Sequence, residues 1–286
     1  MHLVTLKDWS DADILDTVDR SLEIKQSPER YAATMTGQTL GMLFQKTSTR
    51  TRCAGEVGMT QLGGHAMYMD WRNTNFSLAD LGEEIRVLSR YSDLIVVRLM
   101  ENADVARAAE VSEVPLMNGC CNRYHPMQSL ADLMTVKEVF GHLEGVRLTY
   151  VGVLNNVCNS LIAGGLAVGM KVTAITPEIN PAAGDPELYA AAEAAGLLER
   201  TDDLRAALEN CDVVYTDTWL DMEFFTDPAY QEEKERRIHL FKPYQLNRPL
   251  LEGLDLRIMH CLQDHHGYEI EGELVDDPRS IIFTQA

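Results

Sequence analysis

A chain of 286 residues with 25 basic and 44 acidic side chains carries a formal charge of −19 at pH 7, and so negative a surface disfavours nucleic acid and other diffuse polyanions as partners. The 45% apolar content supports one large or two ordinary domains, no stretch approaches the ~18 apolar residues of a membrane span, and Met1-His2-Leu3-Val4-Thr5 shows no basic-then-apolar leader. The cysteines (Cys53, Cys120, Cys121, Cys158, Cys211 and Cys261) show no paired C-x-x-C spacing, which disfavours disulfides and structural zinc and points to a cytoplasmic protein.

In chain order, Ser10 with Asp13 three residues on predicts a helix start, with Ile14, Val18 and Leu22 on one face. Residues 40–44 predict a strand. Residues 51–62 predict a helix with Ala54, Val57 and Leu62 on its apolar side and Gly63-Gly64 as its stop. Between them stands the run Ser48-Thr49-Arg50-Thr51-Arg52. Hydroxyls, backbone N–H groups and guanidinium at a helix N-terminus make an anion site, because the first N–H groups lack partners and the dipole favours negative charge. The forked donor of Arg suits phosphate oxygens. In so acidic a chain a small phosphate ligand needs a focused cationic pocket of this kind. The alternative is an Arg-rich helix start that only caps and pairs at the surface.

Strands at 65–69, 93–97 and 114–117 then alternate with helical stretches at 80–91 and 105–109, and a helix over 128–140 followed by Gly141 marks a junction. Beyond it, strands fit 147–151, 171–175, 212–216 and 257–260. Such alternation predicts an α/β protein of two doubly wound parallel-sheet domains, residues 1–136 and 137–286, with an interdomain cleft as the natural ligand site. Glu232-Glu233-Lys234-Glu235-Arg236-Arg237 reads as a solvated helix face. Val153-Leu154-Asn155-Asn156 holds the place of a dinucleotide loop without its G-x-G-x-x-G pattern, which disfavours NAD.

Polar residues gather at the predicted strand ends: Arg98, His125-Pro126-Met127-Gln128, Asn155-Asn156, Asp217-Thr218-Trp219 and His260-Cys261-Leu262. Singly each is ordinary, since a lone His at a strand end is usually structural and Cys261 alone reads as a small buried hydrophobe. Jointly they form a polar rim facing one cleft.

With these residues in this order, the chain resembles the aspartate/ornithine carbamoyltransferase family, its ornithine branch most, over nearly the whole length. The resemblance is carried by Ser48-Thr49-Arg50-Thr51-Arg52, Gln61-Leu62-Gly63-Gly64-His65-Ala66, Val87-Leu88-Ser89-Arg90-Tyr91 and His125-Pro126-x-Gln128-x-Leu130-x-Asp132. It continues in Asn155-Asn156-Val157-x-Asn159-Ser160, Asp217-Thr218-Trp219 and His260-Cys261-Leu262. The resemblance implies transfer of a carbamoyl group from carbamoyl phosphate to a primary amine of a diamino acid or diamine, with release of phosphate. It implies a homotrimer with shared sites, small-molecule substrates, and neither metal nor organic cofactor. Ser48, Thr49, Arg50 and Thr51 are thereby assigned to the phosphate. Arg98 and His125, with Thr51, are assigned to the carbonyl oxygen, and Gln128 and the Leu262 carbonyl to the amide. Asn156, Asp217, Cys261 and the loop residues Asp221 and Met222 are assigned to the acceptor. Arg98, His125, Gln128, Asp217 and Cys261 form the implied catalytic set. The alternative is a non-catalytic homologue that binds carbamoyl phosphate or an amino acid.

Four departures from the family pattern bear on function. Leu220-Asp221-Met222-Glu223 stands where ornithine enzymes have Ser-Met-Gly, so Asp221 either binds a second acceptor cation or is a solvated loop residue. Gln263 follows Leu262 where the family has Pro after a cis bond, which leaves open whether that bond stays cis; Asp264-His265-His266 comes next. The family's terminal Glu-Asn-Arg, whose Arg meets carbamoyl phosphate, has no counterpart, and Arg72, Arg123 and His266 are the candidates to replace it. Asp70-Trp71-Arg72-Asn73-Thr74-Asn75 replaces a loop that reaches a neighbouring subunit in relatives; Trp71 and Arg72 either do so here or sit in an exposed loop.

Overall fold

The computed structural model describes residues 1–220 and 227–286, in two compact units, Met1–Leu130 and Ala131–Ala286. The first contains, in chain order, α1 (Asp11–Gln26), β1 (Thr39–Phe44), α2 (Thr49–Gln61), β2 (His65–Asp70), α3 (Leu81–Leu88), β3 (Leu94–Arg98), α4 (Asn102–Val111) and β4 (Leu116–Cys120). The helix α5 (Pro126–Phe140) begins in this unit, and the division falls inside it. The strands pair in the order β2-β1-β3-β4, every neighbour parallel. Ser10 caps α1 as its spacing predicts, its hydroxyl accepting from the Asp13 N–H.

Period-two alternation sorts the strand residues onto two faces. Leu40, Met42, Phe44 and Val96 join Met59 of α2 on one face. Leu43, Ile95 and Val97 join Ile85, Leu88 and Val105 of α3 and α4 on the other. The apolar side expected for α2 is corrected here. Ala54 and Val57 are exposed, Leu62 is half-buried, and the helix buries Met59. The seat of α2 on β1 is Gly55, where any Cβ would run into the Met42 thioether and lie 3.4 Å from Leu40. A glycine contributes nothing to an apolar count, yet it lets a helix approach a sheet closely.

The second unit contains β5 (Arg147–Val151), α6 (Asn156–Val168), β6 (Lys171–Ile175), α7 (Pro186–Ala194), β7 (Leu198–Arg200), α8 (Leu204–Glu209), β8 (Val213–Thr216), α9 (Gln231–Phe241), α10 (Arg248–Leu251), β9 (Arg257–His260) and α11 (Ile282–Gln285). Its sheet runs β7-β6-β5-β8-β9, again parallel throughout. Val151, Ile175, Val214 and Ile258 bury one face of this sheet against Leu208, Leu246, Leu251 and Ile282. The α/β class and the two parallel sheets are those the alternation predicts. Strand β7 escapes that pattern because three residues are too few to show a period.

The charge run on α9 is also corrected. Arg236 meets Glu233 and Glu178. Arg237 turns inward, with its side chain 15% exposed, and Nη1 donates to the Trp219 carbonyl at 2.7 Å. The run is therefore solvated on one side only, and its last arginine anchors the segment after β8. No helix among the described residues is long and apolar enough to cross a membrane.

Candidate functional site

In each sheet the connections reverse direction once, between β1 and β3 in the first and between β5 and β8 in the second. Loops leaving the carboxyl ends of strands at such a reversal part to opposite faces and open a crevice suited to ligands. The polar residues singled out by sequence fall at these ends or at the end of the strand next to them, β4 in the first sheet and β9 in the second.

In the first unit, β1 ends at Phe44, paired in register with Arg98 at the end of β3. The two exits are tied together: the Gln45 N–H donates to the Arg98 carbonyl at 2.8 Å, and the Met100 N–H donates to Gln45 Oε1 at 2.8 Å. Ser48 caps α2. Its hydroxyl accepts from the Thr51 N–H at 3.3 Å and lies 3.0 Å from the Thr51 hydroxyl. Thr49 and Arg50 are exposed and Thr51 is half-buried, so the helix start offers N–H groups, hydroxyls and a guanidinium together. Gly119 lets β4 lie close on β3, since a Cβ there would sit 3.0 Å from Val96 Cγ1 and 3.2 Å from the Val97 carbonyl oxygen. Arg98 Nη1 donates to the Gly119 carbonyl at 3.2 Å, while its buried Nε has no partner among the described residues.

His125 precedes α5, and Gln128 lies in the first turn of that helix, its N–H donating to the His125 carbonyl at 3.1 Å. Burial, then the positive fields of Arg98, Arg50 and Lys46, hold His125 well below the usual histidine range. Its imidazole is therefore neutral at pH 7 and still donates one N–H. Lys46 is a member of this cationic group that the motif reading passes over. Its signal is a lysine directly after a central strand in a chain of charge −19.

The depressed His125 value has a measurable consequence. The unfolded chain takes up a proton near 6.5 and the native site does not, so this stability is fully present above about pH 6.5 and is lost as pH falls from there toward the folded value. Urea unfolding at about pH 7.5 and 5.5 is expected to show the wild type losing more stability than His125→Asn over that window; equal losses would mean that His125 titrates normally.

In the second unit, Val151 pairs with Thr216 and Thr216 with His260, so the residues leaving β5, β8 and β9 emerge side by side. Asn155 caps α6, with Oδ1 accepting from the Val157 and Cys158 N–H groups at 3.0 and 3.1 Å. Its Nδ2 donates to Asp217 Oδ2 at 2.7 Å. Asp217 Oδ1 accepts from the Thr218 N–H at 2.8 Å and from the Cys261 thiol at 3.2 Å. Burial and the neighbouring Asp217 push the Cys261 thiol well above its ordinary range, so Cys261 is a protonated donor rather than a thiolate nucleophile. Asn156 is half-buried beside this group. Asn155, rather than Asn156, is the residue that orients Asp217; adjacent amides in a loop give no sequence signal for which one turns toward the carboxylate.

Past Cys261, the Leu262–Gln263 peptide is cis, and Leu262 has φ 53°. The Leu262 N–H donates to His260 Nδ1 at 2.8 Å, which leaves the proton on Nε2, 3.2 Å from Glu269 Oε1. Asp221 and Met222 lie outside the described residues. Of the other candidates, Arg72 is held by Asp70 at 2.7 Å and His266 by Asp264 at 2.7 Å. Trp71 lies against Phe76, ring centroids 5.8 Å apart. Arg123 lies near its neighbour Tyr124, 5.9 Å from the ring centroid.

Residues 1–138 match the family model for the aspartate/ornithine carbamoyltransferase carbamoyl-P binding domain, and residues 144–286 match the model for the Asp/Orn binding domain. An ornithine carbamoyltransferase of Halalkalibacterium halodurans is 38% identical over 99% of this chain and 90% of its own length. One of Bacillus thuringiensis is 36% identical over 99% and 89%. Among solved structures, the ornithine carbamoyltransferase of Pyrococcus furiosus superposes with a TM-score of 0.88 at 35% identity, covering 99% of this chain and 91% of that one. The Thermus thermophilus enzyme gives 0.86 at 33%, covering 99% and 93%.

Proposed function

The chain belongs to the aspartate/ornithine carbamoyltransferase family, and from that premise we propose how its residues divide the reaction. It is a carbamoyltransferase, moving the carbamoyl group of carbamoyl phosphate to a primary amine of an ornithine-like acceptor and releasing phosphate. Residues 1–136 supply the donor side and residues 137–286 the acceptor side. The observation that carries this division is that each polar set gathers at strand carboxyl ends around its own sheet's strand-order reversal, with His125 and Gln128 after the adjoining edge strand β4 and Cys261 and Leu262 after the adjoining edge strand β9.

Ser48, Thr49, Arg50 and Thr51 bind the phosphate through the α2 N-terminus. Attack of a neutral amine on the carbonyl carbon places negative charge on the carbonyl oxygen. Arg98, His125 and the Thr51 hydroxyl are the donors for that charge. Gln128 and the Leu262 carbonyl orient the carbamoyl amide. As the tetrahedral intermediate collapses, the bond from carbon to the bridging oxygen breaks and phosphate leaves, taking the proton that the amine sheds. What remains for the protein is to position two substrates. Asp217, with Asn156 and Cys261, binds the acceptor.

Ornithine is the acceptor favoured by the names of the relatives and by a buried carboxylate at the acceptor side. Turnover of ornithine against lysine, a shorter diamino acid and a polyamine tests it, and Asp221→Ser in the same panel tests whether Asp221 selects among them. Calorimetric titration of carbamoyl phosphate tests the donor side: Arg50→Ala is expected to weaken binding about 10- to 100-fold, since hydrogen bonds to charged groups are the strong ones. Equal affinities would remove Arg50 from the phosphate site. A homotrimer in the cytoplasm belongs to the same reading. Its support is the family resemblance and the exposed apolar side chains of the first unit, with Val57, Leu78, Val87 and Tyr91 51–86% exposed.

A further inference from the structure

We infer that Gln285 is a positioning residue for the acceptor side, fixing the point at which Cys261 and Leu262 leave the sheet. Its side-chain amide is used at both ends. Nε2 donates to Asp132 Oδ1 at 2.8 Å, and Oε1 accepts from the His260 N–H at 2.9 Å. Gln285, Asp132 and His260 are 4%, 1% and 0% exposed. An amide side chain presents a donor to a carboxylate and an acceptor to a backbone N–H at once, from two separate atoms, and in a buried setting the loss of either contact leaves a polar group in a place water does not reach.

The position of His260 in the chain gives this contact its reach. His260 is the last residue of β9. Its ring is fixed by Glu269 on one nitrogen and by the Leu262 N–H on the other. Its main-chain N–H is fixed by Gln285. The next residue is Cys261, whose thiol points at Asp217. A shift of the His260 backbone therefore moves the thiol donor and the Leu262 carbonyl together. Asp132 lies four residues after Gln128 on the continuous helix α5, on the same face. The charge of Asp132 also reaches the acceptor side, since it contributes to raising both Tyr215 and Cys261. The Gln285 donor holds that carboxylate in a set direction.

The kinetic consequence rests on the proposed function, and the positional one does not. Two variants separate them. Gln285→Met keeps the volume and removes both polar ends. Asp132→Asn combined with Gln285→Glu reverses donor and acceptor between the two positions, while the second carboxylate oxygen still accepts from the His260 N–H. The expected result is that Gln285→Met raises the KM for ornithine about tenfold, with a smaller rise, about threefold, in the KM for carbamoyl phosphate because the Leu262 carbonyl moves with Cys261, and faster amide exchange over residues 259–263, and that the double variant returns all three toward wild type. A general loss of stability moves both KM values alike and is not rescued by the reversal. That outcome, or unchanged exchange at 259–263 in Gln285→Met, overturns the inference. A wild type inert toward ornithine counts against the proposed acceptor alone, and the exchange rates of the three proteins then decide the role of Gln285.

Discussion

Arg98→Ala is expected to lower kcat by about 10²- to 10³-fold, the usual effect of removing one donor from a developing oxyanion. The position of this arginine supports the proposed role. It ends β3 at the reversal of the first sheet, in register with Phe44 and Cys120. One arm of the guanidinium is held by the Gly119 carbonyl, while Nε is buried with no partner among the described residues. Half of the donor fork is thus fixed by the protein and half is left over. An N–H kept out of water without a protein partner loses solvation, and a ligand oxygen that gains charge restores the most.

Because the carbonyl oxygen is nearly neutral in bound carbamoyl phosphate and charged in the intermediate, the loss should fall on kcat more than on donor affinity. Arg98→Lys keeps the charge but offers a point donor in place of a fork, so it cannot serve Gly119 and the ligand in the same geometry; its kcat should lie between wild type and Arg98→Ala. Steady-state rates, with thermal unfolding as the check on folding, measure this. A folded Arg98→Ala variant with kcat within about tenfold of wild type would remove Arg98 from the oxyanion role.

The helix start that the proposed anion site is built on was legible in the sequence because its signals are local. A serine cap, two threonines and an arginine at a strand-to-helix turn act through neighbours in the chain, and Ser48 does cap α2. The sheets were legible for the same reason, since short apolar runs between turn signals leave few alternatives. What was not legible depends on tertiary partners. Ala54 and Val57 look like a buried stripe, yet the helix rests on Gly55 and Met59, because close approach needs the absence of a side chain. Arg237 looks like its solvated neighbours and reaches the Trp219 carbonyl. Asn155 and Asn156 are chemically identical, and only the turn at the start of α6 decides that Asn155 faces Asp217. Gln285 lies 25 residues from His260 and 153 from Asp132, and no periodicity reports such a contact.

Asp217 should control the acceptor as strongly as Arg98 controls the chemistry. The carboxylate is 5% exposed, and among the described residues its hydrogen bonds come from three neutral donors: the Thr218 N–H, the Cys261 thiol and the Asn155 amide. Neutral donors orient a carboxylate and leave its charge uncancelled, and a buried charge is stabilised chiefly by an opposite charge at close range. An ammonium group of a diamino acid supplies one. Asp217→Asn keeps the shape, removes that charge, and turns an N–H₂ toward at least one group that is itself a donor. The acceptor KM is expected to rise about 30-fold or more, the usual penalty for truncating one partner of a buried charged pair, while carbamoyl phosphate affinity stays within about twofold. Calorimetry of the donor and initial rates against ornithine measure the two separately. If thermal stability falls and the acceptor KM does not change, Asp217 is a cap for Thr218 and a brace for α6, and the acceptor ammonium must be sought at a different carboxylate.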